Sequence, residues 1–307
     1  MEKYKTAVII NPNAANGATG KKIDFFKNLL QKTGSFELKF TKAKGHATEL
    51  SRESLKEGFN RVIAIGGDGT FNEVVNGFYE NEQPVNHDAV LGLISGGTGA
   101  DFIKTVEFPK DETKAIDRII EDNIKLIDLG KVTYDMPDKS RKTRYFLNIA
   151  DAGVGGEVVE RVNNTTKLFG GFASFLIGTI STVMEYKNQR TQIIFDDDFK
   201  IDKITNNIVV GNGKFFGGGM KILPDARLDD GLFDVIIIGD INKVEFFKNI
   251  PKIYNGTHIH DPKIQCRKAK KVYITAESPL KIDIDGEQEG FTPAEFKIIP
   301  GAVKILT

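Results

Sequence analysis

Over the first 125 residues, short runs of consecutive apolar residues alternate with stretches whose apolar positions recur every three or four. Ala7-Val8-Ile9-Ile10, 36–40, Val62-Ile63-Ala64-Ile65 and 90–94 predict strands. Ile23, Phe26 and Leu30, the segment 47–57, a segment opening at Phe71, and Ala115, Ile116, Ile119 and Ile120 predict helices. Strands alternating with helices imply βαβ units on a mostly parallel sheet, and such sheets bind ligands at the C-terminal ends of their strands. After about Leu126 the rhythm changes to short alternating runs at 145–149, 191–195, 207–210, 232–238, 271–275 and 280–284, which predict a mainly β half. Two stretches interrupt it. The apolar segment 168–184 predicts a core helix, its alternative being the lining for an acyl chain. The amphipathic segment 241–255 carries Val244, Phe247 and Ile250, and Pro251 is expected to end or kink it.

At 307 residues the chain is long enough for two domains, each with its own core. The 42 Lys and Arg balance the 42 Asp and Glu, so no global field favours nucleic acid or an anionic membrane, and any anion must be recognised locally. The single cysteine, Cys266, excludes an internal disulfide and a Cys-based zinc site and suits a reducing compartment. Met1-Glu2-Lys3-Tyr4-Lys5 runs straight into a strand, without the apolar stretch of a secretion signal, and the longest uncharged stretch, 168–184, is too short and too polar to span a bilayer. A cytoplasmic protein is the expectation.

The glycines cluster at 66–69, 96–99, 153–156 and 217–219, which directs the search for function. Gly66-Gly67-Asp68-Gly69-Thr70 follows a strand and precedes Phe71, Val74, Val75 and Phe78 at helical spacing. Strand, glycine turn and helix together present backbone N–H groups to a phosphate, and Thr70 with Glu73 has capping-box spacing. Asp68 inside such a turn suggests Mg²⁺, or a ribose or phosphoryl-transfer role. Asn11-Pro12-Asn13-Ala14-Ala15-Asn16-Gly17 and Ser95-Gly96-Gly97-Thr98-Gly99-Ala100-Asp101-Phe102 follow two further strands, so three strands end in turns suited to a nucleotide. In the β-rich half, the stretch from Pro224 through Asp225, Asp229 and Asp230 to Leu232 admits a hard cation or an acidic solvated hairpin. Asp283-Ile284-Asp285-Gly286-Glu287 ends an alternating strand. It puts Asp283 and Asp285 on one face and brings Glu287 round a turn, unless it is simply an Asp-Gly hairpin. His258-x-His260 lacks metal-ligand company, and the basic runs 139–144 and 267–271 read as solvated faces with an option on anionic lipid headgroups.

These motifs, in this order, resemble the soluble bacterial diacylglycerol kinase and lipid kinase family, whose catalytic domain is shared with sphingosine and ceramide kinases. The resemblance covers essentially the whole chain: Asn11-Pro12, Gly45-His46-Ala47, 66–70 continuing as Phe71-Asn72-Glu73-Val74-Val75-Asn76-Gly77, the turn from Gly97-Thr98 to Asp101-Phe102, Asp128-Leu129-Gly130, the stretch 217–232, and Asp285-Gly286-Glu287. Ser95, Ala100, Ile103-Lys104 and Ala14-Ala15 depart from the family's usual residues. The resemblance implies an N-terminal α/β nucleotide-binding domain over 1–127, a β-sandwich lipid-substrate domain over 128–295, an ATP cleft between them, and a return of 296–307 to the first domain. It implies an ATP-dependent transfer of phosphate to the hydroxyl of a diacylglycerol or related lipid, with an NAD kinase, or a nucleotide- or lipid-binding protein without turnover, as alternatives. Asn11, Pro12, Asn13, Ala14, Thr41, Gly66, Gly67, Asp68, Gly69, Thr70, Asn72, Glu73 and Thr98 would bind ATP, with Asp68 near the phosphates and catalytic Mg²⁺. Asp285 and Glu287 would activate the acceptor hydroxyl, one as general base and the other orienting it. The carbonyls of Arg227 and Leu232 with the Asp230 carboxylate would hold a structural Mg²⁺, connected through water and Asp128 towards the cleft. The implied partner is a lipid at a membrane surface, with peripheral attachment, no nucleic acid, and a homodimer left open.

Overall fold

A computed structural model describes residues 3–96, 100–169 and 171–307. It divides into two compact units, Met1–Leu129 with Pro300–Thr307, and Gly130–Ile299.

The first unit runs β1 (Thr6–Ile10), α1 (Ala18–Lys21), α2 (Ile23–Leu30), β2 (Phe36–Phe40), α3 (His46–Lys56), β3 (Arg61–Gly66), α4 (Asp68–Asn76), the short strands β4 (Tyr79–Glu80) and β5 (Gln83–Pro84), β6 (Val90–Ser95), α5 (Asp101–Thr105) and α6 (Glu112–Glu121). The sheet is parallel in the order β2, β1, β3, β6, with a final strand formed by the end of the chain, where Lys304 pairs with Val90 and Ile305 with Leu91. Every residue of β1, β3 and β6 is buried, which explains why these strands appear in the sequence as unbroken apolar runs rather than as alternation. Asp111 caps α6 by accepting the Lys114 N–H at 2.9 Å, and the helix buries Ala115, Ile116 and Ile119 while leaving Ile120 exposed.

The second unit follows on β7 (Ile124–Asp135), whose last residues belong to it. It then takes β8 (Arg141–Phe146), β9 (Ile149–Gly153), α7 (Val154–Phe169), α8 (Gly171–Glu185), β10 (Gln189–Phe195), β11 (Phe199–Thr205), β12 (Asn207–Gly211), β13 (Phe233–Ile238), α9 (Lys243–Asn255), β14 (Ile264–Ala269), β15 (Lys271–Ala276), β16 (Lys281–Ile284) and β17 (Glu287–Leu306). Its pairings are antiparallel, in the order β14, β13, β12, β9, β16, β17, with β10 joining β11 to β15 and β15 to β17. The core between the layers is built from Phe146, Ile193, Val210, Phe233, Val235, Val272, Ile282 and Phe296, with Phe146 and Phe233 stacked at 5.7 Å.

The structure corrects several sequence expectations. The run 145–149 is not one strand: β8 ends at Phe146 and β9 starts at Ile149, because the amides between them turn to a carboxylate described below. Pro251 does not end its helix. An Asn242 and Glu245 capping box starts α9, Gly256 in the left-handed conformation closes it, and Pro251 sits inside. The glycine cluster 153–156 is the junction of β9 and α7. Among the described residues, no helix is long and apolar enough to cross a membrane.

Candidate functional site

The turns after β1, β3 and β6 lie at one edge of the parallel sheet and are tied to one another. The Asn11 N–H donates to the Ile65 carbonyl (3.0 Å), the Asn11 side-chain amide to Thr70 Oγ1 (3.1 Å), the Gly96 N–H to the Gly66 carbonyl (2.8 Å), and the Thr19 hydroxyl to the Gly96 carbonyl (2.9 Å). Asn13 closes an Asx turn by donating its N–H to Asn11 Oδ1, and the Thr41 N–H donates to the Ile10 carbonyl, so the end of β2 joins the same edge. Pro12 sits where its carbonyl accepts the Gly20 N–H, and Ala14 lies in the same turn. Thr98, with Gly97 and Gly99, lies outside the described residues.

The glycines of the central turn do different things. A side chain on Gly66 would lie 2.5 to 2.9 Å from the Thr70 side chain, so this residue is bare because Thr70 packs on it. A side chain on Gly67 would meet nothing within 4 Å, so there the backbone is open to solvent. Gly67 precedes α4 in extended conformation with no side-chain cap, so the open backbone of the turn leads onto the positive end of the helix, where an anion is favoured. The capping box expected from Thr70 and Glu73 is absent, because Glu73 is engaged elsewhere: its carboxylate accepts the Gly45 N–H (2.8 Å) and the Ala47 N–H (3.1 Å) at the N-terminus of α3. Asn72 is buried, and its side-chain oxygen and carbonyl both accept from Asn76. Asp68 is likewise a brace, taking the Asp101 N–H at 2.9 Å and the Phe102 N–H at 3.2 Å, so that it fixes the turn after β6 to the turn after β3. Asp101 in turn pairs with Lys104, one of the departures from the family pattern, at 3.0 Å.

In the second unit, Asp285 and Gly286 form the two-residue turn between β16 and β17, both with positive φ (49° and 87°), as such a hairpin demands. Asp285 is therefore a turn residue and not, as the alternation suggested, a strand residue sharing a face with Asp283. Its carboxylate accepts three backbone N–H groups, from Leu147 (2.9 Å), Asn148 (3.1 Å) and Ile149 (2.9 Å), which breaks the strand there. Glu287 opens β17 beside the turn and is half-buried. Sequence reasoning missed Asp151 as a partner of this hairpin. It faces Asp283 across β9 and β16, and an acidic residue amid the apolar run of β9 was the signal available.

At the loop proposed for a metal, the Asp230 side chain is held by the chain itself. Asp230 Oδ1 accepts the Leu232 N–H at 3.2 Å, and Oδ2 is bound by Lys268 at 2.8 Å, which also reaches Asp234 at 3.0 Å. Lys268 supplies the positive charge that the sequence reading assigned to a cation. Among the described residues, no three His, Cys, Asp or Glu are grouped to hold a metal. Arg227 turns its guanidinium to Asp229 at 3.5 Å. Asp128 is buried and accepts the Gly301 N–H at 2.8 Å, fastening the returning chain end. Both Asp230 carboxylate oxygens are thus engaged by the chain's own donors, and no step is routed through a metal at this loop. His258 is a core residue whose Nε2 meets the Ile222 carbonyl at 2.9 Å, and burial lowers its pKa.

The diacylglycerol kinase catalytic domain matches residues 5–132, and the YegS C-terminal NAD kinase beta sandwich-like domain matches 148–307. The chain belongs to the diacylglycerol kinase family. A diacylglycerol kinase of Staphylococcus carnosus (strain TM300) is 31% identical over 99% of this chain and 95% of its own length, and one of Bacillus subtilis (strain 168) is 30% identical over 95% and 92%. A crystal structure of a diacylglycerol kinase from Bacillus anthracis str. Sterne shares the fold with a TM-score of 0.72 at 22% identity, covering 100% of this chain and 98% of that one. An NAD kinase of Archaeoglobus fulgidus solved with ATP also shares it, at a TM-score of 0.53 and 12% identity over 98% and 93%. Membership makes the chain a lipid kinase at family level. The α/β unit is then the catalytic domain of that family, and the antiparallel unit its β sandwich.

Proposed function

We propose that this kinase transfers the γ-phosphate of ATP to the hydroxyl of a diacylglycerol or related lipid presented at a membrane surface. One observation carries the reading: three turns at one sheet edge are cross-tied around Gly67, whose open backbone leads into uncapped helix amides. Phosphoryl transfer asks mainly for placement and neutralisation of phosphate charge, and that edge supplies N–H donors for it. Mg²⁺ would arrive with the nucleotide, whose phosphates provide its oxygen ligands. Asp68 and Glu73 act here as braces of the edge.

Between the two acids of the hairpin, the geometry favours Glu287 as general base. Protonating Asp285 would weaken three charge-assisted hydrogen bonds from Leu147, Asn148 and Ile149, whereas its lasting charge suits an orienting role. The test is a radiolabelled-ATP reaction against diacylglycerol, monoacylglycerol, ceramide, sphingosine and NAD, with Glu287→Gln and Asp285→Asn alongside. The expected result is label in a glycerolipid, with kcat lowered by about 10²–10⁴-fold in Glu287→Gln. Label in NAD alone, or full activity in Glu287→Gln, would refute the respective part.

A further inference from the structure

Asp151 and Asp283 are direct register partners on the adjacent antiparallel strands β9 and β16, so their side chains leave the same face of the sheet a few ångströms apart. Both are buried, Asp151 completely. The cover over them is the start of α7. A side chain on Gly155 would lie 2.2 Å from Asp151 Oδ1, and one on Gly156 would strike the Lys281 carbonyl, so Gly155 is bare because the helix is pressed on the Asp151 carboxylate and Gly156 because it is pressed on β16. Neither Asp151 oxygen has a well-formed hydrogen bond, although the Asn207 side chain and the Gly156 N–H ease its charge. Asp283 Oδ1 accepts the Gly286 N–H at 2.8 Å, which closes the turn carrying Asp285 and Glu287.

Two carboxylates sealed side by side cannot both stay charged without a cation, and the nearby cation is otherwise engaged. Lys281, two residues from Asp283, is held by Glu157 and Glu160 of α7 at 2.6 Å each. Asp285 and Glu287 on the hairpin act on Asp283, and Tyr186, which also feels Glu157, lies on the Asp151 side; none of these is a cation. We propose that Asp151 and Asp283 share a proton and, as a positioning pair, hold the Asp285–Gly286 turn in its active geometry, so that loss of the shared proton ends activity on the alkaline side. The inference rests on the reading of Glu287 as the base. Burial moves both carboxyls upward, Asp151 to about 7, and the charge of Asp151 raises Asp283 further. The sign follows. A carboxyl whose pKa is raised by folding contributes stability that is complete below the unfolded value and is lost as pH rises through the folded one.

The experiment compares wild type with Asp151→Asn and Asp283→Asn, using kcat and the ATP KM from pH 5.5 to 9.5, thermal unfolding over the same range, and carboxyl ¹³C NMR titration of substrate-free protein. The expected results are a carboxyl titrating near neutrality in wild type, an unfolding midpoint that falls towards pH 9, and an alkaline limb in kcat with KM unchanged. In Asp151→Asn the fall of the unfolding midpoint towards pH 9 should shrink, and its kcat at pH 9, relative to pH 6, should be retained about tenfold better than in wild type, the effect of moving one ionisation by a unit. An unchanged alkaline limb in Asp151→Asn, or NMR showing both carboxyls ionised at pH 6, would overturn the pair. If Asp151→Asn folds poorly, the wild-type NMR titration decides alone. A wild type that phosphorylates no lipid would sink the kinase reading, while the NMR result would still judge the shared proton.

Discussion

The two glycines of the central turn make opposite predictions under the same substitution. In Gly66→Ala the new methyl would sit 2.5 Å from Thr70 Oγ1, 2.6 Å from its Cβ and 2.9 Å from its Cγ2. Contacts that short require β3 and α4 to separate, and overpacking of a filled interior costs about 1–3 kcal/mol. At about 2–4 °C per kcal/mol for a unit of this size, the unfolding midpoint should fall by several degrees. Trimming the neighbour in Gly66→Ala/Thr70→Ala should not restore it, because the Thr70 Cβ itself is among the close atoms. In Gly67→Ala the methyl enters open space at a φ of −103°, which any residue adopts, so stability should stay within about 0.5 kcal/mol. That methyl would nevertheless occupy the approach to the first amides of α4, and ATP affinity, read by calorimetry, should drop about tenfold, the equivalent of about 1.4 kcal/mol. Wild-type ATP affinity in Gly67→Ala would refute the phosphate contact at this turn. Equal destabilisation by the two substitutions would refute the division of roles.

Three further outcomes can be checked. Asp68→Ala removes the acceptor of two backbone N–H groups at the start of α5, so amide exchange across 101–105 should accelerate about tenfold or more and stability should fall by about 1–3 kcal/mol, while Asp68→Asn should keep part of both; unchanged exchange would show that the brace is idle. EDTA should leave the unfolding midpoint of the ligand-free protein unchanged, because Lys268 already serves Asp230, and a midpoint shift on EDTA that disappears in Asp230→Ala would reinstate a structural cation. If the kinase works at a membrane surface, flotation with anionic liposomes should be weak and lost as salt rises; since Lys268 and Lys271 are paired with carboxylates, reversing the exposed Lys139 and Lys142 should weaken it more than reversing those two, and salt-insensitive flotation would assign the contact to an apolar surface.

Most of the first unit was legible because its signals are local. Buried parallel strands show as apolar runs and their helices as a period of 3.6, so β1, β2, β3, β6 and α6 lie within a residue or two of their expected positions. The second unit was less so. β11 is half exposed, and β14 exposes its four central residues, so neither carries an apolar signature. α7 opens on glycines, which argue against a helix until the carboxylate beneath them is known. Pro251 misled because proline's local preference yields to strong caps at both helix ends.

The acids show where sequence inference about a site stops. Asp68, Glu73, Asp128 and Asp285 all stood out as residues that could meet a phosphate, a metal or a hydroxyl, and all four accept backbone N–H groups from segments 26 to 173 residues away. A motif records that a carboxylate stands at a turn, whereas its partner depends on which loop the fold delivers there. The consequence is mechanistic. The chain fixes these turns through their own amides, each given to an anion from a neighbouring loop: Asp68 for the turn after β6, Glu73 for the entry to α3, Asp285 for the link between β8 and β9. Substituting these acids would then lower activity through the turns they hold, whether or not they also meet substrate. Loss of activity alone therefore cannot identify a catalytic carboxylate in this protein. Glu287 is tested instead by the retained fold and unchanged ATP binding expected of Glu287→Gln.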